Sequence, residues 1–312
     1  MIFFVLVSRL TKPIVEINGI TRNMAALNFD RKCKNYGADE IGELGRSINT
    51  LSDKLDATLL DLNDKNRQLE KDIELRLALD NARKSFISNV SHELKTPIAI
   101  ISGYAEGLKE GISDDPAIIR EYCNIIMDES SKMNELVLEL LELSKLDSKS
   151  QDFRPDYYDI GENVSHVADH LALQIEDKGI TLINKIPLSL ECYAEEDKIE
   201  TVLNNYITNA ISHCGGKKEI ILDSADAGNG CVRITVFNTG EHISDEDLPE
   251  IWDSFYRADK AHNRNTNRFG LGLSIVKSIM TNHRCAYGAE NVENGVRFYF
   301  DVPTGPDYYE TV

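Results

Sequence analysis

At 312 residues the chain has room for two or three domains, and its 42% apolar and low aromatic content suits a soluble, helix-rich protein. A formal net charge of −18 argues against a surface that holds DNA or anionic lipid through general basic attraction. The six cysteines (33, 123, 192, 214, 231, 285) form neither a CxxC pair nor a His-linked metal spacing, which is the usage of a reducing cytosol and excludes a disulfide scaffold or zinc site.

The chain opens with the apolar run Met1 to Val7, closed by Ser8-Arg9. A span needs about 20 such residues, and no basic region or cleavage site makes the run a signal peptide. It reads either as a frayed end or as the last turns of a transmembrane helix whose upstream part is missing, and the next segment favours the second. Pro13 follows closely, Ile14, Ile17, Ile20 and Met24 form a stripe, a polar connector runs from Asn28 to Ala38, and Asp39-Glu40-Ile41-Gly42 starts a second helix. This pattern resembles the HAMP signal-relay module, with an unrelated helical hairpin as the alternative. The resemblance implies a parallel four-helix bundle between two chains, placed directly after a membrane helix. Ile48, Leu51, Leu55, Thr58, Leu62 and Leu69 then recur at heptad spacing, and residues 61–84 read as a charged two-stranded coil. The steps of four from Lys65 to Leu69 to Ile73 form a stutter in that coil.

Next comes Ser91-His92-Glu93-Leu94-Lys95-Thr96-Pro97. Phe86, Val90, Leu94 and Ile98, widened by Ile87 and Ile101, mark a helix whose apolar stripe excludes His92. Thr96 lies one turn after His92 on the same face, Glu93 can reach a ring nitrogen, and Pro97 deprives the Glu93 carbonyl of its helical partner, so a bend is expected there. Residues 86–97, continued by Gly103-Tyr104-Ala105-Glu106-Gly107-Leu108, closely resemble the phosphoacceptor helix of two-component sensor histidine kinases, in the flavour of the Gram-positive vancomycin-resistance sensors. The resemblance implies that His92 accepts phosphate, Glu93 assists as base, and Thr96 places water in the reverse, phosphatase reaction. It also assigns Ala99, Ile100, Gly103 and Tyr104 to recognition of a response regulator receiver domain. A turn at Gly111 and Ser113-Asp114-Asp115-Pro116 leads to a second helix reaching about Leu146. Its broad apolar face needs more cover than two helices supply, so a homodimeric four-helix bundle is expected.

Beyond Arg154-Pro155 the pattern becomes α/β, with strands expected at 180–186, 219–222, 232–237 and 296–302 and helices at 160–178, 196–212 and 271–283. Asn205, Asn209 and His213 share one helix face, and an amide oxygen suits magnesium as a single protein ligand. Asn238-Thr239-Gly240 ends a strand, and Gly240 would allow close backbone approach to a ligand. Asp253-Ser254-Phe255-Tyr256-Arg257 precedes a basic segment with Lys260, Arg264 and Arg268, and Gly270-Leu271-Gly272 opens an apolar helix whose free amides suit phosphate. In this order the pieces resemble the ATP-binding domain of histidine kinases, of GHKL-type fold, over about residues 155–304. By that resemblance Asn209 is a magnesium ligand with Asn205 beside it, residues 257–269 are an ATP lid, and Gly270 and Gly272 flank the phosphates. ATP contacts are expected from Asn205, Asn209, His213, Asn238, Gly240, Arg257, Lys260, Arg268, Gly270, Leu271 and Gly272. Asn205 stands where hydrolytic relatives carry a glutamate base, which favours phosphoryl transfer over hydrolysis. Four departures weaken the match: Asn238 replaces an aspartate, His242 a glycine, Asn267 and Arg268 two further glycines, and Ser212 a frequent basic residue.

The expected divisions are a transmembrane remnant at 1–8, HAMP at 9–60, a coiled connector at 61–82, a dimerisation and histidine phosphotransfer domain at 83–149, the catalytic ATP-binding domain at 150–306, and a frayed tail at 307–312. The fold class is thus multidomain, all-α HAMP and helical hairpin followed by an α/β sandwich. The expected function is autophosphorylation of His92 from Mg-ATP and transfer to a regulator aspartate, with phosphatase activity toward that regulator. The expected location is the cell membrane, with this chain on its cytoplasmic side and without direct nucleic-acid binding. A phosphatase-biased regulator with a degenerate ATP site and a non-enzymatic coiled-coil relay are the alternatives.

Overall fold

A computed structural model describes residues 2–34, 37–111, 113–147, 153–257 and 269–311. It divides into two compact units, Met1–Ser85 and Phe86–Val312.

In the first unit, α1 (Ile2–Ala25) continues through Pro13, and a connector leads to α2 (Glu40–Lys109), which runs on beyond this unit. Among the described residues no helix is long and apolar enough to cross a membrane. Ile17, Ile20 and Met24 are buried together with Phe29 and Cys33 of the connector, whereas Ile14 is exposed and leaves the expected stripe. The residues that made the motif recognisable have local physical roles. Asp39 caps α2 by accepting from the Gly42 amide at 2.9 Å. Gly42 itself must lack a side chain, because a Cβ there would run into the Gly37 carbonyl. Asn49 clamps the connector from α2, accepting from the Cys33 amide at 2.7 Å and donating to its carbonyl at 2.9 Å. Leu51, Leu55, Leu62 and Leu69 are exposed in the single chain.

In the second unit, the remainder of α2 and α3 (Pro116–Asp147) form the helical hairpin. The helix is not interrupted at Pro97. The α/β domain follows, in the order β1 (Asp156–Asp159), α4 (Ile160–His170), α5 (Ala172–Asp177), β2 (Thr181–Asn184), β3 (Glu191–Ala194), α6 (Glu196–His213), β4 (Glu219–Gly228), β5 (Cys231–Thr239), α7 (Gly272–Asn282), β6 (Tyr287–Val292), β7 (Gly295–Pro303) and α8 (Asp307–Thr311). The main sheet has the order β2-β4-β5-β7-β6, parallel only between β2 and β4, and β1 pairs with β3 in a small separate sheet. Alternation along β5 and β7 turns Ile234, Val236, Phe298 and Phe300 inward, where α6 covers them with Tyr206, whose ring lies 5.3 Å from that of Phe298. This is the expected α/β sandwich, and α3 packs against it through α7, with Leu136 fully buried.

Strands β1, β3 and β6 were not expected: the first two have four residues each, and β6 interrupts its apolar residues with Gly288, Glu290 and Asn291 at the sheet edge. The expected frayed tail is also corrected, since residues 307–311 form α8. Tyr308 donates to the Arg284 carbonyl at 2.7 Å, and the Tyr309 ring meets that of Phe153 edge-on at 5.0 Å. Burial of these aromatic rings gives a short helix the cover it cannot supply alone.

Phe153 also meets the ring of His283 at 5.0 Å, beneath which that imidazole is almost fully buried. The Glu195 amide donates to Nε2 at 3.3 Å and Nδ1 faces the Ile279 carbonyl at 2.9 Å, so the ring is held neutral with its proton on Nδ1. Burial lowers its pKa from the ordinary 6.5. Unfolding therefore takes up a proton below that value, and the stability from His283 is full above about pH 6.5 and is lost as pH falls through the folded pKa. As pH falls through that window, the stability of the wild type against urea should drop more steeply than that of His283→Gln; parallel pH profiles would refute the assignment.

Candidate functional site

The sequence-predicted residues fall into two places in the second unit. His92 lies on α2 with its side chain 80% exposed, and Glu93 Oε1 is 3.9 Å from Nδ1, beyond hydrogen-bond reach. The Thr96 hydroxyl faces the His92 carbonyl at 3.4 Å. Tyr104 packs edge-on against Tyr122 of α3 at 4.8 Å, while Gly103 has open space around it. None of these residues lines the main cavity of the domain.

That cavity, of about 1270 Å³, gathers Asn205, Asn209, His213, Asn238, Arg257, Gly270, Leu271 and Gly272. Helix α6 brings the first three to one wall because they are spaced by four. Asn205 is oriented by its own helix, Nδ2 donating to the Thr201 carbonyl at 2.9 Å, which turns Oδ1 toward Gly272. A Cβ at Gly272 would run into that oxygen, so the glycine lets α7 start directly against the amide. Among the described residues no side chain caps α7, and its first backbone amides point to where an anion could bind. Gly270 adopts φ +73°, and a Cβ there would lie 2.7 Å from the Tyr256 carbonyl oxygen.

Asn238 is buried near the end of β5, its Nδ2 donating to the Thr239 carbonyl at 3.3 Å. A Cβ at Gly240 would come 2.6 Å from the His213 carbonyl oxygen, so the glycine lets the end of β5 pack closely against the end of α6. His242, a departure from the family pattern, is accommodated with Nε2 2.8 Å from the Val292 carbonyl. Lys260, Arg264, Asn267 and Arg268, with most of the expected lid, lie outside the described residues. Several cavity residues carry no local sequence signal: Glu135 and Glu139 reach it from α3, and Ser244 and Asp247 line it together with Tyr256 of the expected aromatic-arginine block. Buried polar placement such as that of Asn238 fits an adenine-sized edge, and the amide oxygens of Asn205 and Asn209 suit a hard cation.

Three family profiles match in sequence: the HAMP domain over residues 5–57, the His Kinase A (phospho-acceptor) domain over 82–149, and the histidine kinase-, DNA gyrase B- and HSP90-like ATPase over 194–306. Together they account for most of the chain. The chain belongs to the two-component sensor histidine kinases. Sensor histidine kinase WalK of Bacillus subtilis is 32% identical over 237 residues, 74% of this sensor-kinase chain and 38% of WalK. Sensor protein VanSB of Enterococcus faecalis is 29% identical over 307 residues, 96% of this chain and 65% of VanSB. The chain thus spans between about a third and two thirds of these curated relatives. Among solved structures, histidine kinase ThkA in complex with response regulator protein TrrA aligns with a TM-score of 0.59 at 29% identity, covering 72% of this chain and 62% of ThkA. Histidine kinase AdeS of Acinetobacter baumannii, at 21% identity and a TM-score of 0.55 over 69% of this chain and 98% of AdeS, shares the fold.

Proposed function

We propose that the chain autophosphorylates His92 from Mg-ATP and passes the phosphoryl group to an aspartate of a response regulator. The observation that carries this reading is the convergence of Asn205, Asn209, Asn238, Arg257 and the uncapped start of α7 on one cavity, in a chain that also presents an exposed imidazole. Asn238 receives the adenine edge, Arg257 and the α7 amides hold the phosphates, and Asn209 with Asn205 supplies oxygen to magnesium. Magnesium, when bound, neutralises phosphate charge. Lys260 and Arg268 are further phosphate contacts in this scheme. Nδ1 of His92 faces Glu93, which leaves Nε2 as the nucleophile, and Glu93 steadies the ring as positive charge develops on it. Asn205 has no carboxylate to activate water, so phosphoryl transfer is favoured over hydrolysis.

The complex of ThkA with response regulator protein TrrA supports a response regulator as partner, with Ala99, Ile100, Gly103 and Tyr104 as the proposed recognition patch. The phosphatase reaction, with Thr96 placing water, is the second reading; Asn238 in the position of an aspartate favours it, since a neutral amide holds the adenine amino group more weakly than a carboxylate. The matched HAMP domain supports attachment to the cell membrane through an upstream segment, with this chain on the cytoplasmic side. The proposed domain divisions are 9–60, 61–82, 83–149 and 150–306.

Exposure of Ile87, Ile98, Met127, Leu138 and Leu141 on the hairpin supports a homodimer whose second copy completes a four-helix bundle. Light scattering at micromolar concentration should give the mass of two chains, and a monomer would rule the bundle out. The activity itself is tested with labelled ATP and magnesium: label that is acid-labile and base-stable supports the kinase. Absence of label, with Thr96-dependent dephosphorylation of a phosphorylated regulator, supports the phosphatase.

A further inference from the structure

One tightly knotted part of the cavity wall has no role in the scheme above. The turn Ser244-Asp245-Glu246-Asp247 is closed on itself: the Asp247 amide donates to Ser244 Oγ at 3.1 Å, and that hydroxyl donates to Asp247 Oδ2 at 2.7 Å. The closure leaves Asp247 Oδ1 to accept from the Tyr256 hydroxyl. Bonds from Tyr256 first, then Ser244, hold the Asp247 carboxyl below its usual range, so the acceptor stays charged and the bond is charge-assisted.

The neighbour of that tyrosine is in an unfavourable conformation. Phe255 sits at φ +66°, where an aromatic residue is rarely found without surrounding constraint. Its amide donates to the Gly270 carbonyl at 2.9 Å, and Gly270 in turn packs against the Tyr256 carbonyl closely enough to exclude any side chain. The stretches 244–247, 255–257 and 270–272 are thereby locked together, and Asp247, Tyr256, Arg257, Gly270 and Gly272 all face the cavity.

We infer that Asp247 is a positioning residue: acting through the Tyr256 hydroxyl, it holds the strained backbone at Phe255 so that Arg257 and the first amides of α7 converge on one triphosphate. This rests on the ATP-binding reading. Asp247 touches no substrate. Its carboxylate is a strut, and Tyr256 is the member through which it acts.

The test compares Tyr256→Phe, Asp247→Ala, Asp247→Asn, the Tyr256→Phe/Asp247→Ala double variant and Tyr256→Phe combined with Arg257→Ala. Two quantities are read on the whole chain: hydrogen exchange at the Phe255 amide without nucleotide, and the KM for ATP against the maximal labelling rate. Loss of one charge-assisted bond is expected to speed exchange at Phe255 and raise KM by about tenfold, with a smaller change in maximal rate. The double variant should be no worse than either single one, and Asp247→Asn, which still accepts the phenol proton, should retain most of the affinity. Tyr256→Phe should raise KM less once Arg257 is gone, because only the α7 amides are then left to misplace. Additive effects of the two substitutions, or an unchanged KM alongside faster exchange, would overturn the inference and leave the kinase reading standing. Failure of the wild type to bind ATP would overturn both.

Discussion

His92→Gln should lose all acid-labile label from ATP while binding nucleotide as the wild type does. Glutamine keeps the polarity and approximate reach of the side chain but offers no nucleophilic ring nitrogen, so the rate should fall by at least about 10³-fold. The side chain is 80% exposed, so its replacement leaves no cavity and the thermal midpoint should hold within about 1 °C. Nucleotide affinity should also hold, because His92 is not among the residues lining the cavity. Glu93→Gln is the informative companion. The carboxylate stands 3.9 Å from Nδ1 and makes no hydrogen bond in this arrangement, so a loss of about 10²-fold would mean that the contact forms as the reaction proceeds. Label persisting in His92→Gln would identify a different acceptor and end the proposed scheme.

The second large effect is expected at Gly272. Alanine is the better helix former, and at the exposed start of most helices the change would be harmless. Here the new methyl would occupy the space of Asn205 Oδ1, so either that amide leaves the Thr201 carbonyl or α7 moves away from α6. Both movements disturb a proposed magnesium ligand and the phosphate amides at once, and ATP affinity should fall by at least about tenfold, a little over 1 kcal/mol. Asn205→Ala removes the obstruction, because the Asn205 Cβ lies 3.9 Å from the added atom. Gly272→Ala should therefore cost much less affinity in the Asn205→Ala background than in the wild type. Titration of a fluorescent ATP analogue against the four proteins measures this. Equal losses in both backgrounds would show that the glycine serves backbone freedom and not the amide.

Much of the architecture was legible because it is written in local periodicity. Asn205, Asn209 and His213 announce a helix face by their spacing, and α6 and α7 lie close to the expected ranges. Gly270 and Gly272 announced backbone constraint, although the second answers to a side chain distant in sequence. Illegible features depend on partners far along the chain. Strands β1 and β3 exist only as a pair, Tyr157 opposite Tyr193, and neither four-residue segment has a pattern of its own. Asp247 reads as one more acid in an acidic stretch until the fold sets Tyr256 on it. The contact of Gly240 with the His213 carbonyl was likewise invisible, because it joins two elements distant in sequence. The tail was taken as frayed because the value of Tyr308 and Tyr309 lies wholly in the surface they meet.

That tail has a consequence for the domain as a unit of construction. Phe153 and Tyr309 touch, so the peptide enters and leaves the α/β domain at a single seam. A fold whose two ends adjoin can be spliced into a host chain as an insert, or have its ends joined and be reopened elsewhere, without pulling its sheet apart. The aromatic seam therefore makes residues 153–311 a portable cartridge, and a new host hairpin would have to reproduce the apolar face through which Leu136, Leu143 and Leu146 join its core and Phe86 meets Phe255.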